Sequence, residues 1–560
     1  MSKINFFALG GMDEKGKSCF VLEINNGFYL FDAGILTPNF SRYGIKKIMF
    51  DYTWVQKNIQ KIKGLFVGIA NSNSIGSLQF LNSIFKTIPI YTSSVNKIII
   101  ESLFNERSMK NMHDFQKYRI VEVESLKTFN VSGVEITPIQ ITATNPLSTG
   151  FCIKTDQGYI IIVDEFIISP ESNPVFQSHL DKINSITNNN NLLLITSVGT
   201  VSQNKSFIAP SHDPTDFFLK EIKIAPGRLV LGIFDYNIYH IIKLIDLCTK
   251  LSIPILVNSG VFVNLIKKFE ELKIIKPKPP ILNIKSADDM KKGIVLVIGS
   301  RNSLFNIISQ VLDGENKIII PHELDKYILA IKTIPGFEFI EAKTYDKISY
   351  LGYDWLKFPS SINEVSPGLN DHLYLLAMLK PKYVIPVKGL HYNFSDYAFG
   401  AKDFVDQKNV ISLDNGFKIS FENGKLLAQK PIFMEIQEKF VGSHGLNGVE
   451  EIVLGERKMM SENGVVLVNA VVSKDGNMAN VIELRIKCFG LSYEVEGSKE
   501  AYKNMIELVT KNIREYFYSK NMNNKELKNN IKKIVSKYFN KIFQKTPIVL
   551  PAIIDITPKK

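Results

Sequence analysis

The side chains that could bind a catalytic metal ion are few and widely spaced along this 560-residue sequence. No two of the 8 histidines lie within four residues of each other; they are His113, His179, His212, His240, His322, His372, His391 and His444. The 4 cysteines form no Cys-x-x-Cys pair. Zinc ligands usually follow short, regular spacings, so each histidine is better explained as a surface or core residue. A phosphate-binding P-loop, a nucleophile elbow and a dinucleotide-binding glycine motif are also missing from any context that would support them.

The elements that would position a site change in type along the chain. Up to about residue 200, short β-rich runs such as residues 6–9, 19–24 and 28–31 are separated by Gly and Asn-Gly turns. Between about 205 and 345, strands alternate with helices, which is typical of a parallel α/β unit. Residues 370–425 then return to the pattern of the first 200 residues. The α/β unit is therefore predicted to be inserted into the first domain.

Beyond about residue 450 the sequence predicts a compact α+β module. Residues 465–473 and 481–487 flank Asp475-Gly476, which is a strong β-hairpin signal. Two amphipathic helices follow, with apolar faces that run from Tyr502 to Phe517 and from Leu527 to Ile542. Their opposite faces carry most of the excess lysine.

Several strings of residues resemble ribonuclease J, a family of nucleases with a metallo-β-lactamase fold and an inserted β-CASP domain. They occur in order over essentially the whole chain and are Ala8-Leu9-Gly10-Gly11, Leu30-Phe31-Asp32-Ala33-Gly34, Asp51-Tyr52-Thr53-Trp54, Lys63-Gly64-Leu65-Phe66, Ile75-Gly76, Lys380-Pro381-Lys382-Tyr383-Val384-Ile385-Pro386-Val387 and Pro547-Ile548-Val549-Leu550-Pro551. The resemblance implies an α/β protein in which a metallo-β-lactamase αββα sandwich is interrupted by a parallel α/β β-CASP domain and followed by a small α+β C-terminal domain. The implied boundaries are 1–203 and 349–425 for the two parts of the sandwich, 204–348 for the insertion, 426–450 for a linker and 451–560 for the C-terminal domain.

The catalytic motif of the family is where this sequence departs from the resemblance. Ribonuclease J carries His-x-His-x-Asp-His on one loop, whose side chains hold two zinc ions around a bridging hydroxide. Here the four ligand positions are occupied by Ile69, Asn71, Asn73 and Ser74. The remaining positions implied by the family are filled by Ala143 and Lys388 (metal histidines), Ser197 (the β-CASP acid) and Ile362 and Ser366 (histidines of the β-CASP loop). Zinc is expected for the family, but it is predicted to be absent here, and no catalytic residue is assigned.

Three residues remain as candidates for a residual site: Asp32, Glu165 and His391. The resemblance implies that the bridging aspartate position falls on Glu165, with Asp164 beside it, whereas the aspartate at Asp32 supports the metal loop. One carboxylate cannot hold two divalent cations. Lys388 would repel Zn²⁺ if its side chain points into the site.

A separate candidate site is the segment Gly299-Ser300-Arg301-Asn302, which follows a predicted strand. In ribonuclease J the matching loop contacts RNA phosphate, so Ser300 and Arg301, together with Lys388, are predicted phosphate-binding residues. The alternative is an ordinary strand-to-helix turn.

Positive charge is concentrated at the C-terminal end of the chain. The net charge is +12, and residues 501–560 account for most of it with 13 Lys+Arg against 4 Asp+Glu. A basic module behind a nearly neutral body favours a polyanionic partner, although a solvated helix surface explains the same charges.

The sequence therefore predicts a degenerate ribonuclease J-like protein that binds RNA and acts in RNA degradation or processing. It is expected to form a homodimer or a heteromer with an active ribonuclease J. Two alternatives remain: a ribonuclease with an altered metal site built from Asp32, Glu165 and His391, and a protein scaffold without a nucleic-acid role. No apolar run approaches the roughly 18 residues of a membrane helix, and the four widely spaced cysteines favour a reducing cytoplasm.

Overall fold

The computed structural model describes residues 3–38, 44–103, 117–275, 290–301, 303–333, 336–362, 364–427, 432–442, 451–475, 478–491, 499–518 and 524–557. The chain divides into two compact units. The first unit is formed by Met1–Phe40 and Lys47–Lys439, and the second by Ser41–Lys46 and Phe440–Lys560.

The first sheet of the first unit is mixed. From one edge to the other its strands are Lys425–Leu426, Phe417–Glu422, Ile4–Gly10, Cys19–Ile24, Gly27–Phe31, Ile62–Phe66, Ile90–Thr92 and Ile120–Glu122, and Ile432–Phe433 also pairs with Phe417–Glu422. The strands are antiparallel as far as Gly27–Phe31 and parallel beyond it. The predicted turn is confirmed, because Asn25 and Asn26 both adopt positive φ, as a two-residue hairpin turn requires.

The second sheet runs in the order Tyr383–Val387, Asn191–Ser197, Gly158–Val163, Ser148–Thr155, Val134–Ile141 and Phe129–Val131. Its first three strands are parallel and the others are antiparallel. The two sheets pack face to face around one apolar core. The ring centroid of Phe151 on the second sheet lies 5.5 Å from the ring centroid of Phe66 and 6.2 Å from that of Phe31, both on the first sheet.

A separate parallel sheet is formed by the part of the sequence between Asn191–Ser197 and Tyr383–Val387, which are neighbouring strands of the second sheet. The chain leaves the second sheet at Ser197 and returns at Tyr383, where the returning strand pairs directly with Asn191–Ser197. The intervening sheet runs in the order Ile255–Val257, Gly293–Gly299, Arg228–Phe234, Lys326–Leu329 and Asp354–Lys357, and all its pairs are parallel. The helices of this part are Thr215–Ile224, Ile238–Leu251, Gly260–Glu271, Leu304–Leu312 and Glu338–Tyr350. Its central strands are buried along almost their whole length, as expected when helices cover both faces.

A buried polar network joins this inserted part to the segment after the strand Gly158–Val163. Glu171 Oε1 lies 2.9 Å from His212 Nε2 and accepts a hydrogen bond from the Tyr239 hydroxyl at 2.8 Å. Lys243 Nζ lies 3.3 Å from Glu171 Oε2. These contacts lower the pKa of Glu171 to about 2 against the opposing effect of burial, so its carboxylate stays charged.

The other helices of the first unit are Tyr52–Asn58, Ser72–Ile75, Asn82–Phe85, Ser94–Leu103, Ile183–Thr187, Leu369–Leu379 and His391–Ala401. None of the helices in the described part of the chain is long and apolar enough to cross a membrane.

The second unit contains a sheet with Val465–Asp475 at its centre, antiparallel to Met478–Phe489 and parallel to Ile548–Asp555. The two predicted hairpin strands are confirmed, although residues 476–477 of the turn lie outside the described residues. The helices are Glu451–Asn463, Lys499–Tyr518 and Asn524–Phe543. Alternate residues of the central strand pack against apolar side chains of the last two helices. Ile542 was predicted on the buried face and is instead 48% exposed, and Phe539, one turn earlier, is fully buried.

Candidate functional site

Lys388 lies at a sharp turn that follows the strand Tyr383–Val387. Its φ of 55° is in the left-handed region, which costs a residue with a Cβ about 1 kcal/mol or more. The N–H of Lys388 donates to the carbonyl of Gly11 at 2.8 Å. A Cβ on Gly199 would lie 2.5 Å from the Lys388 carbonyl oxygen, so glycine is needed for this close approach. The turn therefore fixes the direction of the Lys388 side chain.

The Lys388 ammonium points into the first unit, where it has three polar partners. Nζ lies 2.8 Å from Asp32 Oδ2, donates to Asp164 Oδ2, and lies 3.3 Å from Ser74 Oγ. Asp32 and Asp164 each directly follow a strand, one in each of the two packed sheets. The side chains of Lys388, Asp32 and Asp164 are 7%, 9% and 15% exposed. The three N–H donors of the ammonium are matched by three acceptors in a nearly water-free site.

The charges of this cluster change the pKa values of its members. Burial lowers the pKa of Lys388, but the negative charges of Asp164, Asp32 and Glu165 outweigh burial and hold it above its usual value. Burial raises the pKa of Asp32 to about 7, against the opposing charge of Lys388. Burial and then the charge of Asp164 raise the pKa of the half-buried Glu165 to about 7. Lys388 is therefore a permanent cation. The raised pKa values of Asp32 and Glu165 reduce the negative charge of the cluster, because these carboxyl groups are more easily protonated.

A cavity of about 20 Å³ lies beside the two aspartates. It is lined by Asp32 and Asp164 and by mostly apolar residues: Phe20, Phe31, Phe66, Gly68, Thr149, Phe151, Ile162, Ile195 and Val387. Such a space holds about one water molecule. Asp164 Oδ1 is buried and has no hydrogen-bond partner among the described residues. The cavity is far too small for a nucleotide, so any contact with a larger ligand lies outside it.

Two of the positions that the resemblance assigns to metal ligands are part of the hydrophobic core. Ile69 and Ala143 are fully buried and belong to the apolar cluster between the sheets. The backbone N–H next to Ile69, at Ala70, donates to Asn96 Oδ1 at 3.0 Å, and Asn145 Nδ2 donates to the Ala70 carbonyl at 3.0 Å. The loop is therefore held by amide side chains and apolar packing.

Three further positions of this kind, besides Lys388, lie at the short helix Ser72–Ile75. Asn71 Oδ1 accepts the Ser74 N–H at 3.2 Å and caps this helix. The Asn73 carbonyl accepts the N–H of Ser18 at 3.3 Å. Ser74 is fully buried and directs its hydroxyl toward Lys388.

His391 does not join Asp32 and Glu165, so the predicted three-residue residual site is wrong. It opens the helix His391–Ala401 with its side chain 62% exposed. Its Nε2 lies 3.4 Å from Asp13 and 3.3 Å from Asp414. The positive φ at Lys388 separates the directions of the two side chains, although they are only three residues apart.

The three β-CASP positions lie at ordinary backbone features. Ser197 is buried at the end of the strand Asn191–Ser197. The N–H of Ile362 donates to the Pro359 carbonyl at 3.0 Å, and the N–H of Ser366 donates to the Glu364 carbonyl at 2.9 Å.

Ser300 and Arg301 form the turn between the strand Gly293–Gly299 and the helix Leu304–Leu312. The N–H of Ser300 donates to Ser303 Oγ at 2.8 Å, and the N–H of Ser303 donates back to the Ser300 carbonyl at 3.0 Å. Arg301 lies over the ring of Tyr236, 5.3 Å from its centroid. Ser300 is exposed and Arg301 is half-buried. Both remain accessible to a ligand.

Further charged groups lie within electrostatic reach of Arg301. Burial lowers the pKa of Lys15 and Lys47, and the positive charge of Arg301 lowers both further. Burial raises the pKa of Asp235 and Glu364, while the charge of Arg301 acts in the opposite direction. Arg301 is thus the centre of a mixed-charge cluster with three cationic groups.

The prediction that Lys388 binds phosphate is wrong, because its donors are already taken up by Asp32, Asp164 and Ser74. The proximity of Ser74 and Lys388 does not create a nucleophilic pair either. A lysine acting as a general base must lose its proton, and here the carboxylates raise the pKa of Lys388. Within the described ranges, no group of three or more His, Cys, Asp or Glu side chains is arranged to hold a metal ion.

Asp164 was missed as the principal partner of Lys388, since the resemblance implied Glu165. A sequence signal was available in the strand Gly158–Val163. Side chains alternate between the two faces of a strand, so Asp164 continues the face of Ile162, and both line the cavity beside Asp32. Glu165 is not among the residues that line this cavity.

Comparisons with known proteins agree with this architecture. A family model described as the ribonuclease J C-terminal domain matches residues 452–556. The uncharacterized protein MG423 of Mycoplasma genitalium is 32% identical over 566 residues, covering 99% of this chain and 100% of the relative. Ribonuclease J 2 of Staphylococcus epidermidis and of Staphylococcus aureus are 23% and 24% identical, each covering 99% of this chain and 98% of the relative. The chain is therefore a ribonuclease J-like family member.

Among solved structures, a protein of unknown function from Enterococcus faecalis is similar in fold. The TM-score is 0.50 with 13% sequence identity, over 75% of this chain and 100% of the other. At this identity the likeness concerns the fold alone.

Proposed function

We propose that this protein is a catalytically degenerate member of the ribonuclease J family that binds RNA and serves as an accessory subunit in RNA degradation or processing. The observation that carries the proposal is the Lys388 ammonium between Asp32 and Asp164. A hydrolytic zinc site needs about three protein ligands and an open position for water.

The zinc ions of the family do not fit the side chains present. Ile69 and Ala143 have no donor atom, and Asn71 Oδ1 is used to cap a helix. The two aspartates face a fixed positive charge that repels a second cation. No hydrolytic step is therefore assigned to this protein.

The proposed architecture is a metallo-β-lactamase sandwich interrupted by a β-CASP domain. It is supported by the two face-to-face sheets and by the parallel sheet inserted between the adjacent strands Asn191–Ser197 and Tyr383–Val387. The domain boundaries implied by the resemblance are kept as part of this proposal: 1–203 with 349–425, 204–348, 426–450 for the linker and 451–560.

RNA phosphates are proposed to bind at the cluster around Arg301. The accessible guanidinium lies on the Tyr236 ring, and Lys15 and Lys47 add positive charge nearby. Arginine stacked on an aromatic ring suits both phosphate and base contacts. The lysine-rich helix Asn524–Phe543 of the second unit is a further candidate surface, with Lys532, Lys533, Lys537 and Lys541 all exposed.

The protein is also proposed to associate with another subunit, either a second copy or an active ribonuclease J. Supporting this, the C-terminal sheet buries one face under its helices and leaves Phe489, Leu550 and Ile554 on the other, at 56%, 43% and 57% exposed. A cytoplasmic location is kept as a prediction.

The test measures binding of the full chain to a fluorescently labelled, 5′-monophosphorylated single-stranded RNA by anisotropy over a series of salt concentrations. Affinity is expected to fall as salt rises, with a slope of about −0.7 for each phosphate neutralised. Arg301→Ala should weaken binding, whereas Arg119→Ala, at an exposed arginine of the same unit, should not.

The degenerate character is tested by incubating the same RNA with the protein in Mn²⁺ or Zn²⁺ and separating the products on a denaturing gel. Cleavage that a chelator abolishes would show a working metal site and overturn this part of the proposal. Absence of measurable RNA affinity at low salt would favour the scaffold alternative instead.

A further inference from the structure

Two neighbouring strands of the inserted parallel sheet end side by side and send the chain in opposite directions. The N–H of Asp235, directly after the strand Arg228–Phe234, donates at 3.1 Å to the last carbonyl of the strand Gly293–Gly299. From the first strand the chain continues to Ile255–Val257 at one edge of the sheet, and from the second it crosses back to Lys326–Leu329. Right-handed connections that run in opposite directions cover opposite faces of a sheet. The two strand ends therefore border a crevice, and parallel α/β sheets bind ligands at such points.

The borders of this crevice carry hydrogen-bonding groups of both kinds. Asp235 and Tyr236 follow the first strand, and Ser300 and Arg301 follow the second. The guanidinium carbon of Arg301 lies 5.3 Å from the centroid of the Tyr236 ring, so the cation and the ring form one surface. Glu364 lies within electrostatic reach of both Arg301 and Tyr236 and adds a second carboxylate. The crevice therefore offers an arginine donor on an aromatic ring together with two acceptors.

The two carboxylates are accessible although protein surrounds them. Asp235 is exposed, and Glu364 and Tyr236 are partly exposed. Burial nevertheless raises the pKa of all three side chains. Side chains that solvent reaches while protein encloses them lie in a concave part of the surface, so a ligand can contact them there.

We propose that this crevice selects guanine among the bases of a bound RNA. Arg301 donates to the O6 and N7 atoms of the base, and Asp235 and Glu364 accept hydrogen bonds from its N1–H and its N2 amino group. The inference rests on the proposed function, because it assigns a base to the RNA site around Arg301.

The carboxylates are the reason for assigning a base to this crevice in addition to phosphate. Asp235 and Glu364 would repel a phosphate group, so a site for phosphate alone does not explain them. Two further cations, Lys15 and Lys47, lie within electrostatic reach of Arg301 and remain for the phosphates. The ligand that suits the whole crevice therefore presents anionic groups, hydrogen-bond acceptors and hydrogen-bond donors.

Guanine matches these groups better than the other bases. Its O6 and N7 acceptors suit the fork of an arginine, which is the commonest base-specific contact in nucleic-acid complexes. Its N1–H and N2 amino group are neighbouring donors, and an ionised carboxylate is an acceptor only. Uracil has a single N–H between two carbonyl oxygens, so its oxygens would face the carboxylates. Cytosine has one amino group and no second donor beside it.

The test measures the affinity of the full chain for a short, 5′-monophosphorylated oligouridine that carries one guanosine, by fluorescence anisotropy at fixed salt. Uridine, cytidine or inosine replaces the guanosine in the other RNAs. The RNA with guanosine should bind more tightly than oligouridine by about fivefold or more. Inosine lacks the N2 amino group, so it should lose most of this advantage. These comparisons leave the protein unchanged and do not depend on the folding of a variant.

Two variants test the carboxylates themselves. Glu364→Gln and Asp235→Asn should each lower the ratio of guanosine to uridine affinity, while oligouridine binding is retained or strengthened because a negative charge is removed. A purely electrostatic role would strengthen binding to every RNA equally and leave the ratio unchanged. Glu323→Gln is the matched control, because Glu323 is exposed and precedes the strand Lys326–Leu329, at the opposite end of the parallel sheet. It should leave the ratio as in wild type.

Three results overturn the inference: equal affinity for the guanosine and uridine RNAs, tighter binding of the cytidine RNA than of the guanosine RNA, or a ratio that neither Glu364→Gln nor Asp235→Asn lowers. Inosine bound as tightly as guanosine also contradicts it, because the N2 amino group is then not recognised. Equal binding of all RNAs overturns this inference alone. Absence of binding to any RNA overturns the proposed function and this inference with it.

Discussion

Glu171 offers a quantitative test of how the inserted part is held. Glu171→Gln keeps the shape of the side chain but removes the charge that faces His212, Tyr239 and Lys243. The pKa of Glu171 falls from 4.5 to about 2 in the folded protein, and each pKa unit corresponds to about 1.4 kcal/mol. The charged carboxylate therefore stabilises the fold by about 3 kcal/mol near neutral pH, to within a factor of two.

The pH dependence of this contribution has a definite sign. Because the pKa of Glu171 is depressed on folding, its contribution is complete above the unfolded value of 4.5 and is lost as the pH falls toward about 2. The difference in free energy of unfolding between wild type and Glu171→Gln should shrink from about 3 kcal/mol near pH 7 to about 1 kcal/mol near pH 3. Comparing the two proteins cancels the titration of the other groups.

The assay is urea unfolding followed by the fluorescence of Trp54 and Trp355, at several pH values. Glu135→Gln is the control, because Glu135 forms an exposed pair with Lys154 and should change stability little at any pH. A gap between wild type and Glu171→Gln that stays constant with pH, or that is absent at neutral pH, would refute the assignment of this stabilisation to the charge of Glu171.

Three further outcomes are expected. Arg228→Met removes the two hydrogen bonds, of 2.7 and 2.6 Å, that the fully buried Asp325 accepts from the guanidinium. The first unit should therefore lose about 3–5 kcal/mol in urea unfolding, and a loss below about 1 kcal/mol would contradict this. Changing the exposed lysines Lys532, Lys533, Lys537 and Lys541 to glutamine should reduce the salt dependence of RNA binding, and an unaltered slope would exclude this helix from the RNA contact. Leu550→Ser with Ile554→Ser should lower the mass measured by light scattering if the open sheet face joins subunits, and an unchanged assembly would rule this face out.

Local patterns predicted the elements of this protein well. The strands Val465–Asp475 and Met478–Phe489 and the helices Lys499–Tyr518 and Asn524–Phe543 contain the segments predicted from the sequence, because strands and amphipathic helices have characteristic periodicities. Ile542 was misassigned because periodicity identifies the face of a helix but not how far the neighbouring sheet extends along it.

The sequence by itself indicated a ribonuclease J-like protein in which Ile69, Asn71, Asn73, Ser74 and Ala143 occupy positions that the resemblance assigns to zinc ligands, since residue types can be read without coordinates. Only the tertiary structure decided what took their place. Asp32, Asp164 and Lys388 are far apart in sequence, and they meet because three strand ends converge at one edge of two packed sheets. The direction of Lys388 depends on one positive φ, which also turns His391 away to the surface. Sequence spacing specifies neither that dihedral angle nor the convergence of the three strand ends. Because of both, Lys388, which was predicted to contact phosphate, is a buried counter-charge to Asp32 and Asp164.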